Sequence, residues 1–295
     1  MRALTAFLLA IFGTIILTAA LAYPAWLLVL PIETGWPFHR VTSRVWQLLM
    51  LIAILLTLRR LNLRTREDWG FGQPRPVFLR QAGIGLALGV ATMLPMTLVM
   101  LALGILEPRP EFGSRLLVYG TVTGALAGLA VALIEETFFR GLMYRSVSRE
   151  SGVAFAAWST TLVYAAVHFL ARTKIPADEV AWDSGFRLLG GALVNFTNPL
   201  PVIDSFATLL LVGLLLALVR ARTGSIAACI GLHMGWVWVI KATTATTQVN
   251  DEAAYSWLVS DFDGYTGWLV AGWAALLVLL AWARGWLGPA RAKSR

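Results

Sequence analysis

The chain has 295 residues, of which 58% are hydrophobic and only 14% charged, and its mean hydropathy is +0.72. That composition excludes a soluble globular domain, a disordered chain and a disulfide scaffold. The net charge of +8 invites a nucleic-acid partner, but the Lys and Arg residues flank apolar runs, which is the pattern of membrane topology and not of nucleic-acid binding.

The apolar residues gather into eight runs, roughly Leu4 to Ala22, Val45 to Leu58, Ala82 to Leu106, Leu116 to Met143, Val153 to Leu170, Pro201 to Val219, Ile226 to Ile240 and Trp268 to Trp282. Runs near ~20 residues cross ~30 Å of hydrocarbon as helix, whereas a membrane β-barrel shows short alternating strands. The expectation is an all-α, polytopic bundle of about eight transmembrane spans. The first run follows Arg2 and ends on Ala19-Ala20-Leu21-Ala22, so signal-peptide cleavage is an alternative. Its apolar core exceeds the usual ~7 to 15 residues, which favours an uncleaved anchor.

With the N-terminus inside, cytoplasmic segments collect Arg2, the six arginines from Arg59 to Arg80, Arg140, Arg145, Arg149, Arg220, Arg222, Arg284, Arg291, Lys293 and Arg295. The other side holds half as many, with Asp251, Glu252, Asp261 and Asp263 among its acids. The bias places both termini in the cytoplasm of a multi-pass protein, read as one of the cytoplasmic (inner) membrane. No repeat or long polar linker breaks the chain, so residues 1–295 read as one membrane domain.

Between the second and third runs, Arg59 to Arg80 reads as a basic connector along the headgroups, with Trp69 and Phe71 as interfacial anchors. Between the fifth and sixth, Arg172 to Leu200 has an apolar middle, Phe186 to Phe196, that suits a short re-entrant or surface helix. The single cysteine, Cys229, forms no internal disulfide and reads as a small buried hydrophobe. Asp204 reads as interfacial, and the Asn195-Phe196-Thr197 triplet fits a glycosylation acceptor, a signal of low specificity.

Ionisable side chains inside apolar runs are the informative exceptions, because a charge at depth costs several kcal/mol unless paired or hydrated. The fourth run carries Glu135, Glu136 and Arg140, the fifth Tyr164 and His168, the seventh His233; the remaining histidine, His39, is expected in a loop. Glu136 and Arg140 are four apart in the favourable order for an ion pair. Glu135 is rotated by ~100° and need not share that pair, which suits it to general-base work. A turn near Glu150 to Gly152 joins the fourth and fifth runs, so Glu135 and His168 lie at similar depths, ~22 to 26 Å from it. Glu135, His168 and His233 are expected around one cavity.

At these residues the chain resembles the CAAX prenyl endopeptidase and bacteriocin-processing (CPBP, Abi) family of intramembrane proteases. Its EExxxR motif is matched by Glu135, Glu136 and Arg140, and its FxxxH motif by Tyr164 and His168. Its HxxxN/D motif is half matched, with His233 in place and Val237 where the amide or carboxylate is expected. The resemblance covers about 116–240, the implied four-helix catalytic core.

The resemblance implies hydrolysis of a peptide bond in a membrane-anchored or membrane-inserted protein or peptide. Glu135 would activate water, His168 would help hold the water or the scissile carbonyl, and Glu136 with Arg140 would orient the helix. His233 and the residue four beyond it would stabilise the oxyanion. The Val237 side chain has no hydrogen bond to donate, which leaves Trp236, Trp238 or a donor on another helix as the substitute; losing one such donor costs ~3 to 4 kcal/mol. A metal-free, glutamate-dependent mechanism is expected because the HExxH helix is absent. If a zinc is used, Glu135, His168 and His233 are its ligands. Two other readings stand beside the protease: a non-catalytic scaffold or immunity protein of the same family, and a proton-coupled transporter.

Overall fold

The computed structural model describes residues 2–30, 36–170 and 174–285. Arg172, Arg291, Lys293 and Arg295, which entered the charge reading, lie outside them. All eight apolar runs fold as helix. The long helices are α1 (Arg2–Val29), α2 (Phe38–Arg60), α3 (Arg75–Ala102) and α4 (Ser114–Glu136). A π-helical stretch (Thr137–Met143) then leads into α5 (Tyr144–Ser151). After it come α6 (Val153–His168), the short α7 (Ser184–Ala192) and α8 (Val194–Thr197), α9 (Ile203–Thr223), α10 (Ala227–Thr246) and α11 (Trp268–Ala283).

Five segments are long and apolar enough to cross a membrane: Arg2–Val29, Phe38–Arg60, Arg75–Ala102, Ser114–Ser151 and Leu200–Thr223. The helices Val153–His168 and Trp268–Ala283 are apolar but shorter. α10 has 20 residues, yet His233, Lys241 and the threonines of its last turns make it more polar. Leucines and isoleucines stay exposed along the long helices, such as Leu9 and Ile16 on α1, Leu48 and Leu55 on α2, and Leu126 and Ile134 on α4. Threonines, Glu136, Arg140 and His233 are buried. Apolar outside and polar inside is the distribution of a bundle solvated by lipid, and the chain is an integral membrane protein.

Two elements depart from the all-α expectation. Leu106–Pro108 (β1) and Thr247–Val249 (β2) pair antiparallel with Leu106 opposite Val249, tying the chain after α3 to the chain after α10. His39, expected in a loop, is in the first turn of α2, which Pro37 starts at its N-cap; proline's fixed φ and missing N–H suit a helix start.

The described residues form two compact units. The first comprises the chain up to Arg64 and Ala166–Leu200. In it Trp26 meets Phe38 edge-on at 5.8 Å, and Gly185 of α7 lies so close to the Ala19 carbonyl of α1 that a Cβ has no room. The Asn195 amide donates to the Phe169 carbonyl at 3.1 Å, so the candidate glycosylation side chain is already committed.

The second unit comprises Thr65–Ala165 and the chain from Pro201 onward. Its centre is α10, held between α3 and α4 by small residues. Gly85 and Gly89 of α3 lie on the Ala228 and Leu232 carbonyls of α10, Gly231 and Gly235 of α10 on the Ala82 and Leu86 carbonyls of α3, and Gly120, Gly124 and Gly128 of α4 on Ala245, Lys241 and the Met234 carbonyl. Backbones approach closely where no Cβ intervenes, which suits helix association in a medium without a hydrophobic drive. Met93, Met96 and Met100 of α3, Leu214 to Leu216 of α9, Trp236 of α10 and Val270 of α11 fill the apolar core. Asp204, expected at the interface, is buried and accepts from the Ser205 N–H and the Ser260 hydroxyl.

Candidate active site

α4, the π stretch and α5 form one continuous helix of 38 residues, Ser114–Ser151. At ~1.5 Å per residue it runs ~57 Å, beyond ~30 Å of hydrocarbon, and its last part, Tyr144 to Ser151, is polar. It stops at Gly152, whose φ of 86° ends the helix at the turn read from the sequence. The π stretch was not legible beforehand. It starts immediately after Glu136 and contains Arg140 and Gly141, and single π turns recur at functional sites.

Arg140 and Glu136 are both fully buried and pair at 3.1 Å, as their spacing predicts. A buried guanidinium needs more than one partner. Arg140 also donates to the Gly213 carbonyl of α9 at 3.1 Å and lies 4.4 Å from the centre of the Tyr164 ring. Gly213 has to be small, because a Cβ there would meet Tyr164 Cδ1 at 3.0 Å and Thr161 Cγ2 at 3.1 Å. In turn, Arg220 of α9 is buried, donates through Nε to the Arg140 carbonyl at 2.9 Å and stacks near Tyr144.

His233 joins the two glutamates. Its Nδ1 is 2.8 Å from Glu136 Oε1, so a protonated Nδ1 donates to that carboxylate and leaves Nε2 directed toward Glu135 Oε2, 4.0 Å away. A carboxylate on one ring nitrogen fixes the tautomer and orientation of the other, as in hydrolytic sites generally. Glu136 side-chain exposure is 0% while that of Glu135 is 24%, so Glu135 is the more accessible of the two carboxylates. The Tyr164 ring stands edge-on to His233 at 6.4 Å and to Phe139 at 5.3 Å. Thus Glu135, Glu136, Arg140, Tyr164 and His233 come together in the second unit. His168 ends α6 one turn beyond Tyr164 and belongs to the first unit.

The structure corrects the substitute oxyanion donors. Trp236 Nε1 donates to the Thr92 hydroxyl at 3.0 Å and Trp238 Nε1 to the Thr121 carbonyl at 2.9 Å; both indole N–H groups are committed to neighbouring helices. Cys229 is buried and its thiol contacts the Leu216 carbonyl. Arg220, counted in the sequence only as a cytoplasmic arginine, is buried against the Arg140 backbone, which its place at the end of an apolar run does not reveal.

A catalytic zinc takes three protein ligands and keeps one position open. The described residues bring no three His, Cys, Asp or Glu side chains into a metal-holding group, and Glu136 is spent on His233 and Arg140.

Fold and site define a helical membrane protein with a buried carboxylate–imidazole–guanidinium centre. Residues 117–239 match the family model of type II CAAX prenyl endopeptidase Rce1-like proteins, the family that the motifs at Glu135, Glu136, Arg140, Tyr164 and His168 resemble. The match contains Glu135, Glu136, Arg140, Tyr164, Gly213, Arg220 and His233. No curated protein and no solved structure matches the chain.

Proposed function

We propose that the protein is an intramembrane endopeptidase in which Glu135 is the general base. The observation that carries the reading is the line of contacts Arg140, Glu136, His233 and Glu135, whose last gap of 4.0 Å is too long for a direct hydrogen bond and suits a shared water. Water donating to Glu135 and to His233 Nε2 keeps a lone pair for the scissile carbonyl. Glu135 takes the proton as the water oxygen bonds to the carbonyl carbon. The tetrahedral intermediate collapses as the C–N bond breaks, and the same proton passes to the leaving amine. His233, anchored by Glu136, accepts the second water hydrogen at Nε2 and so orients the nucleophile toward the scissile carbonyl. Arg140 neutralises Glu136, so the negative charge at the reacting end is that of Glu135.

The role of His168 in holding water or carbonyl rests on the FxxxH motif alone. A second reading, a non-catalytic family member, is favoured by one feature, Val237 in the amide position. Both are decided in proteoliposomes. An endopeptidase cleaves a membrane-anchored prenylated peptide or a membrane-inserted leader peptide at one bond, loses this activity in His233→Ala, and is slowed in His168→Ala. A protein that binds such peptides and leaves them intact is the scaffold, and solute or proton flux without cleavage identifies a carrier.

A further inference from the structure

The connector that leads into α3 was read as a headgroup anchor, yet its residues Asp68 to Phe71 pack onto both helices that carry the site. Asp68 is buried and receives the Thr65 N–H and hydroxyl. Its other oxygen pairs with Arg149 at 3.0 Å and Arg145 at 3.4 Å, both on α5. The Trp69 carbonyl lies against Gly141, the residue after Arg140, so closely that a Cβ on Gly141 would collide with it. Gly70, with φ of +88°, leaves space for Ile226, where α10 begins. Phe71 stacks on Phe78 at 5.4 Å and packs on the cluster of Ala132, Ile226, Ile230 and Met234. Ala132 is one turn from Glu135 and Glu136, while Ile230 and Met234 flank His233. Four successive residues therefore touch α5, the π stretch, α10 and the α4–α10 seam in turn.

We propose that this connector is a clamp that sets the register between the glutamate-bearing helix and the His233 helix, with Asp68 as a positioning residue latched by Arg145 and Arg149. The proposal rests on the reading of Glu135 as general base. Displacement of a catalytic pair by about 1 Å costs up to ~100-fold in rate without any contact to substrate. The 4.0 Å Glu135 to His233 gap is the distance this clamp protects. The nearby Glu67 pairs only loosely with Arg145, at 3.7 Å.

The test uses the full chain in proteoliposomes with Asp68→Asn, Asp68→Glu and Gly141→Ala, the last acting on the Trp69 contact with Asp68 intact. Turnover and KM are measured on a peptide that the wild type cleaves, with the thermal midpoint beside them. Separately, Cys229, one turn before His233 and fully buried, is labelled with a membrane-permeant maleimide in the absence of substrate. Expected for Asp68→Asn are a ~5- to 10-fold fall in kcat, KM within about twofold and most of the loss restored in Asp68→Glu, with Gly141→Ala at least as slow. Cys229 labelling rises several-fold in both while the midpoint is little changed. Unchanged kcat, a rise in KM alone, or a fall that only tracks the midpoint overturns the proposal. If Asp68→Asn does not fold, Gly141→Ala decides it by the same readouts. Retained cleavage in Glu135→Gln refutes the base assignment instead. Labelling of Cys229, which needs no substrate, then decides the clamp: wild-type rates in the variants overturn it.

Discussion

Removing the Arg140 side chain tests the polar centre most severely. Arg140→Met keeps much of the volume and deletes the 3.1 Å ion pair to Glu136, the 3.1 Å bond to the Gly213 carbonyl and the stacking on Tyr164. Glu136 is then left fully buried with His233 as its one polar partner. Breaking a buried pair from one side costs ~3 to 5 kcal/mol, because the surviving charge stays desolvated. The lost bond and the cation–π contact, ~1 kcal/mol each taken singly, fall within that range because the groups act as one network. Removing Glu136 as well relieves the stranded charge and leaves only the His233 Nδ1–H unpaired, at ~1 to 3 kcal/mol. The double variant Glu136→Leu/Arg140→Met is therefore expected to be more stable than Arg140→Met by ~2 kcal/mol. Equilibrium unfolding in mixed micelles by sodium dodecyl sulfate, followed by tryptophan fluorescence, measures both. Arg140→Met within ~1 kcal/mol of wild type, or a double variant less stable than the single one, refutes the reasoning.

Gly213→Val is expected to lower stability by ~1 to 3 kcal/mol through overpacking against Tyr164 and Thr161, read in the same unfolding titration. Val237 is only half-buried, so Val237→Asn is expected to fold with an unchanged thermal midpoint and to cleave at least as fast as wild type, as kcat shows. Burial pushes the Asp68 carboxyl up, yet the hydrogen bonds from Thr65 and the charges of Arg149 and Arg145 outweigh it and hold the group below its ordinary value of 3.8. A carboxylate lowered on folding stabilises above its unfolded pKa and loses that contribution as pH falls through the folded one. The clamp is therefore expected to be intact through the neutral range and to open below about pH 4, seen as faster Cys229 labelling in acid.

Residue spacing made half of the site legible. Glu136 and Arg140 pair because four residues separate them on one helix, and the turn at Gly152 follows from local chemistry that any reader of the chain can apply. The contact of His233 with Glu136 depends on the rotation of α10 between two glycine-lined helices, a tertiary quantity that periodicity does not encode. Arg220 looked like one more topological arginine because its burial depends on the carbonyl of Arg140, which the π stretch turns toward α9. Trp69 and Phe71 read as headgroup anchors because the residues they pack on are ~60 to 160 positions away in the chain.

The central claim, that Glu135 activates the attacking water, is tested most directly by single-turnover cleavage in proteoliposomes, wild type against Glu135→Gln. The glutamine keeps the size and hydrogen-bonding reach of the side chain and removes its basicity, so binding of the peptide is expected to persist while the cleavage rate falls by ~10²- to 10⁴-fold. Cleavage by Glu135→Gln within tenfold of the wild-type rate, with the peptide equally bound, contradicts the account.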